Sequence, residues 1–184
     1  MKILGISASL RNRRFAYKNE LIEQIKSIQN LNGIKSFVEE QVKITFDEIE
    51  NLNKDLSFEE KYKQLKKHKG NRGLSNSEAS LVYALWQSYR NDVDIDYLSL
   101  SNIFENENKN KLNFFKKKFL SSDAILISGP VYFGDRGSLT QRMIEFINSD
   151  KQCIRHVKKI FYAGLAVGAK RNGGQETTLI FQMT

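Results

Sequence analysis

Residues 124–127 (Ala124, Ile125, Leu126, Ile127) form an unbroken apolar run. A run without alternation fits a strand buried on both faces of a parallel sheet. Ser128, Gly129 and Pro130 are expected to break that strand, with Val131, Tyr132 and Phe133 in the loop beyond it. Exposed aromatics after a buried strand are poor for solubility and make sense against a flat ligand. In open parallel sheets, ligands bind beyond the carboxyl ends of the strands, where strand order reverses. This stretch is therefore expected to be the central strand and its ligand loop.

The other strands read from the same kind of pattern. Residues 2–7, KILGIS, give a first buried strand, with Gly5 allowing a close neighbour. Val93, Ile95 and Tyr97 alternate with Asp94 and Asp96, which marks a strand nearer the sheet edge, completed by Leu98 and Leu100. Residues 157–167 predict a fourth strand, densest at Ile160, Phe161 and Tyr162.

Helical spacing fills the intervals. Leu81, Val82, Leu85, Trp86 and Tyr89 make one face of a helix over 75–89, with Asn76 and Ser77 at its N-cap and Glu78 in its first turn. Residues 106–120 form an amphipathic helix with Leu112, Phe115 and Phe119 inside. A further helix starts at Ser138 and buries Leu139, Met143, Ile144 and Ile147. Strands alternating with crossover helices specify a doubly wound α/β sheet.

Residues 12–72 interrupt that order. Leu21, Ile22, Ile25 and Ile28 predict a helix over 17–31, closed by Asn32-Gly33. Residues 34–49 admit two readings. Val42, Ile44 and Phe46 alternate like a strand, while Phe37, Val38 and the glutamates suit a helix. Ser57 to Glu60 resembles a capping box shortened by a residue.

Composition changes this picture little. The chain has 184 residues with the apolar and aromatic content of a globular protein, and 12–72 reads as a mainly helical insertion within a single 1–184 domain. No apolar run is long enough to span a membrane. The N-terminus lacks a cleavage site of the secretory kind, and Cys153 is the only cysteine. A cytoplasmic setting is the expectation. The net charge of +8 fits an anionic partner. Lysine and asparagine are abundant throughout, however, and genome composition is the favoured account of the charge. His68 and His156 are isolated, and no metal site is expected.

Candidate chemistry gathers in three loops. Ser7, Ala8, Ser9, Leu10 and Arg11 follow the first strand as a hydroxyl-rich loop ending in a cation, the layout of a phosphate site. SGPVYFG follows the central strand, and VGAKRNGGQET follows the fourth. Together they resemble the flavodoxin-like NAD(P)H-dependent FMN reductases, in the branch that includes the iron–sulfur flavoproteins. RNGGQETT is the most specific match.

The resemblance implies FMN as cofactor and NAD(P)H as co-substrate. It implies a phosphate site at Ser9 and Arg11, met from the other side by Ser75, Asn76 and Ser77 at the start of the displaced first core helix. It implies that Pro130, Val131, Tyr132, Phe133 and Gly134 border the flavin ring, as do Gly168, Arg171, Asn172, Gly173 and Gly174. The phosphate loop is split by the insertion, which would rise beside the cofactor as a lid, a partner surface or a substrate wall. The cysteine cluster of the iron–sulfur members is missing. The family's strand order is 2-1-3-4-5, and the fifth strand has no counterpart before Thr184. The fourth strand is then left as an apolar edge. Pairing with a second copy, cover from 41–46, or truncation of a longer product would each account for it.

The expected activity is hydride transfer from NAD(P)H to flavin, and on to a small-molecule or protein acceptor, by a homo-oligomer without nucleic-acid or membrane partners. The alternatives are an electron carrier of the flavodoxin kind, or a non-enzymatic relic whose basic insertion binds RNA or protein.

Overall fold

The computed structural model describes residues 1–9, 20–52, 55–57, 59–60, 73–105, 107–132 and 135–167. In chain order these residues form β1 (Lys2–Ser7), α1 (Glu20–Ser27), α2 (Leu31–Leu52), α3 (Asn76–Arg90), β2 (Asp94–Ser99), α4 (Leu100–Phe104), α5 (Lys109–Leu120), β3 (Ala124–Tyr132), β4 (Asp135–Arg136), α6 (Ser138–Ser149), α7 (Lys151–Val157) and β5 (Phe161–Val167).

The parallel strands lie in the order β2-β1-β3-β5. This is the 2-1-3-4 order of a flavodoxin-like sheet. β4 is a two-residue antiparallel return on β3.

Alternate residues of the strands face opposite layers, as the pleat requires. Leu4, Ile6, Leu98, Ile125 and Ile127 face a core closed by α4, α5, α6 and α7, where Phe104, Phe115 and Phe119 are fully buried. Ile95, Tyr97, Ile3 and Leu126 face α3, through Leu81, Val82, Leu85 and Trp86. Gly5 lies under α3, and a Cβ there would come within 2.6 Å of Leu85 Cδ1. The glycine lets the helix settle on the central strands.

The ambiguity at 34–49 resolves as helix. Ile34 and Val38 face the same core as Leu21, Ile22 and Ile25, and one buried stripe at helical spacing outweighs the short alternation at 42–46. Residues 41–46 thus belong to α2, which packs on α3, and they add no strand to the sheet edge. The indole of Trp86 donates to the Ile28 carbonyl at 3.0 Å, and the Leu74 N–H donates to the Gln41 carbonyl at 3.2 Å. Those two contacts fix α2 antiparallel to α3. From Gln41 onward, α2 continues past the start of α3 by roughly 16 Å at the helical rise.

Several boundaries differ from the sequence reading: α1 ends at Ser27, and Asn32-Gly33, read as its stop, lies inside α2, while the N-cap of α3 is Ser75 in place of Asn76 and Ser77. β3 does not stop at Ser128. Gly129 and Pro130 pair with Ala166 and Val167 of β5, and Val131 and Tyr132 pair with β4. Proline is tolerated because pairing with β1 ends at Ser128, so β3 has an open side there. β5 begins at Phe161 instead of residue 157. Asp150 caps α7 through the N–H groups of Gln152 and Cys153, and that helix carries the chain to Val157. At Ser57 the capping box has full spacing, with the Glu60 carboxylate accepting from both the Ser57 hydroxyl and N–H.

Candidate functional site

β1, β2 and the part of β3 that pairs with β1 each end in a serine. The register sets Ser99, Ser7 and Ser128 abreast across the sheet. All three are buried, together with Ser9, Ser77 and Ser101. Buried hydroxyls need partners, and here they find them in the first turn of α3 or in one another. The Ser128 hydroxyl donates to the Ser77 carbonyl at 2.6 Å, and Ser99 and Ser101 lie 2.9 Å apart, hydroxyl to hydroxyl. Ala8 N–H donates to the Ser128 carbonyl at 2.8 Å, so the chain leaving β1 follows the side of β3. Gly129 makes that approach possible, since a Cβ there would lie 3.0 Å from the Ala8 side chain.

Glu78 is at the centre of this layer and is fully buried. One carboxylate oxygen accepts from the Ser75 N–H and the Ser75 hydroxyl, each at 2.9 Å. The other accepts from the Tyr97 phenol at 2.9 Å and the Ser7 hydroxyl at 3.2 Å. The Ser75 oxygen in turn accepts from the Glu78 N–H at 3.3 Å, which completes a capping box. Burial pushes the Tyr97 phenol well above its ordinary range, and the neighbouring Glu78 charge and hydrogen bond push it further. Tyr97 is therefore a neutral donor to a buried acceptor.

The phosphate-loop residues come together only in part. Ser9 is buried beside β1, and its N–H donates to the Ser7 hydroxyl at 3.3 Å. Ser75 is the N-cap of α3, with its hydroxyl and N–H both engaged by Glu78. Asn76 is exposed at the helix start, and Ser77 is buried in the next position. The capping box uses the N–H groups of Ser75 and Glu78. Those of Asn76 and Ser77 lie in the first turn, where helical geometry supplies no partner.

Of the ring-loop residues, Pro130, Val131 and Tyr132 continue β3 beyond the end of β1. Arg11, Phe133, Gly134, Gly168, Arg171, Asn172, Gly173 and Gly174 lie outside the described residues.

Sequence reading missed Ser7, Tyr97, Ser99 and Ser128 as members of one layer, and treated Glu78 as a first-turn charge. A signal was present: KILGIS, DIDYLS and AILIS all close on serine. A hydroxyl recurring at the same end of three apolar strands is costly to bury without a purpose or a partner.

No protein-family model matches the chain, and no curated protein matches it.

Proposed function

We propose that this protein is an FMN-binding oxidoreductase that uses NAD(P)H, with the flavin phosphate bound between the loop after β1 and the first turn of α3. One observation carries the reading. β1 ends at Ser7, level with Ser128 of β3, and a helix N-terminus and a layer of buried hydroxyls meet the two strands there. In doubly wound sheets of this order, ligands bind at the β1/β3 switch point.

The residues present fit a phosphate. Asn76 and Ser77 offer main-chain donors at the positive end of a helix dipole, beside the Ser9 loop. Arg11 would add a cation to the same group. Residues 130–134, with Gly168 and residues 171–174, would border the ring. Bound FMN would supply the redox chemistry, taking a hydride from NAD(P)H and passing electrons to a small-molecule or protein acceptor. The chain's own part is to hold the phosphate and orient the ring, so no side-chain acid or nucleophile is required.

The outer edge of β5 supports a homo-oligomeric form. Among the described residues β5 pairs with β3 alone, and Phe161 is 79% exposed. An apolar strand edge is a template for another copy.

The test is reconstitution. Protein mixed with excess FMN and passed through a desalting column should retain one FMN per chain, by absorbance and by mass spectrometry of the released cofactor. It should then oxidise NADH or NADPH. Retention of FAD in place of FMN would overturn the cofactor assignment. A protein that stays colourless would favour a non-enzymatic role.

A further inference from the structure

The two halves of the proposed phosphate loop are far apart in sequence. Ser7 and Glu78 are separated by 71 positions. Residues this distant are not held at sub-ångström spacing by chain connectivity, because a long loop leaves its ends free to drift. Something in the fold has to set their spacing.

A continuous chain of hydrogen bonds crosses the gap. The Ser9 N–H donates to the Ser7 hydroxyl at 3.3 Å, and that hydroxyl donates to one Glu78 oxygen at 3.2 Å. The other Glu78 oxygen takes the N–H and the hydroxyl of Ser75, each at 2.9 Å. Tyr97, from β2, steadies the first oxygen at 2.9 Å. Every group in the chain faces a partner of the right kind: a carboxylate accepts only, and each group aimed at it donates. The carboxylate is fully buried, so water does not compete for it.

We infer that Glu78 is a positioning residue that joins the two halves of the anion loop, setting the spacing of Ser9 from Ser75 and hence the affinity for the flavin phosphate. This rests on the flavin reading above. The contribution of Glu78 is to keep the Asn76 and Ser77 donors aligned with the loop after β1.

Glutamine is the informative substitution. In Glu78→Gln, one oxygen still accepts from Ser75, and the amide can donate to Ser7 and Tyr97, whose hydroxyls turn to accept. The joint survives without the charge. Glu78→Ala removes the joint. Ser7→Ala removes the hydroxyl that links Glu78 to Ser9 and leaves the Ser75–Glu78 capping box intact.

Two measurements separate this inference from the flavin reading. The first uses ligand-free protein and amide exchange. Exchange at Ser9 should rise at least tenfold in Glu78→Ala and stay near wild type in Glu78→Gln, with the interior of α3 protected in both. Unchanged exchange at Ser9 in Glu78→Ala overturns the joint whether or not FMN binds. The second is FMN titration. Glu78→Ala and Ser7→Ala should bind on the order of tenfold more weakly, and Glu78→Gln should stay within about threefold of wild type. If Glu78→Ala does not fold, Ser7→Ala carries the same test. Wild-type affinity in Ser7→Ala, or in folded Glu78→Ala, overturns the positioning role. Wild-type protein that binds no FMN overturns the flavin reading, and the exchange result still decides the joint.

Discussion

The Ser128 hydroxyl donates to the main-chain carbonyl of Ser77 at 2.6 Å, across 51 positions. This bond ties the end of the central strand to the first turn of the helix above it. Both residues are buried, so loss of the hydroxyl is not repaired by water. Ser128→Ala should cost about 0.5–1.5 kcal/mol, seen as a lower urea midpoint with an unchanged slope. An unaltered midpoint would mean that the contact contributes nothing.

The described helices of the insertion are part of the core. Leu21, Ile25 and Ile34 have no exposed surface, and they pack in the same cluster as Leu81 and Leu85 of α3. A lid that opens would expose them. Ile25→Ala should therefore cost about 2–5 kcal/mol, and removal of 12–72 should leave a protein that fails to fold. Near-wild-type thermal stability in Ile25→Ala would show that α1 is only loosely attached.

Tyr97 gives the fold an alkaline limit. Its folded-state ionisation lies above the ordinary phenol range, first because it is buried and then because Glu78 is beside it. As pH rises past that ordinary range, the unfolded chain loses the phenol proton and the folded chain keeps it. Stability is fully present below the range and is lost as pH rises through it. Tyr97→Phe should flatten that decline, while near neutral pH it costs about 1–3 kcal/mol by withdrawing a donor from a buried carboxylate. Unfolding curves measured from neutral to alkaline pH check both signs.

The edge of β5 should make the protein associate. Phe161 and Tyr162 are 79% and 45% exposed, and they point to opposite faces of the sheet. Sedimentation should show a concentration-dependent dimer, with slow amide exchange over 161–166. Phe161→Lys should shift it toward monomer, because a charge on an open strand blocks edge pairing. A monomer at all concentrations with fast exchange over that strand would exclude pairing.

The sheet was readable because its strands are short apolar runs or, in β2, a clear alternation, and the longer crossover helices each carry one apolar stripe. Where the reading went astray, local pattern met a tertiary fact. Pro130 looked like a strand end, yet β3 continues because β1 has already left its side. Val42, Ile44 and Phe46 alternate, but Ile34 and Val38 commit the segment to the face of α3. The serine layer was harder to see. Ser7, Ser99 and Ser128 are adjacent only through strand register, and Glu78 reaches Tyr97 only when α3 lies over β2. The spelling of any single segment carries no trace of that meeting.

The separation of β1 from its partners also bears on the birth of the chain. β1 lies between β2 and β3, with Leu4 paired to Asp96 and Ile125. It is synthesised before both. During translation the strand that becomes the middle of the sheet has no neighbour until β2 at 94–99 has emerged, and it lacks its second until β3 follows beyond 120; the insertion lengthens both waits. Contacts of such long range are slow to form, and an unpaired apolar strand is exposed to aggregation in the interval. α1, α2 and α3 can assemble on one another in the meantime, and α3 then presents Leu85 to Gly5 when the strand arrives.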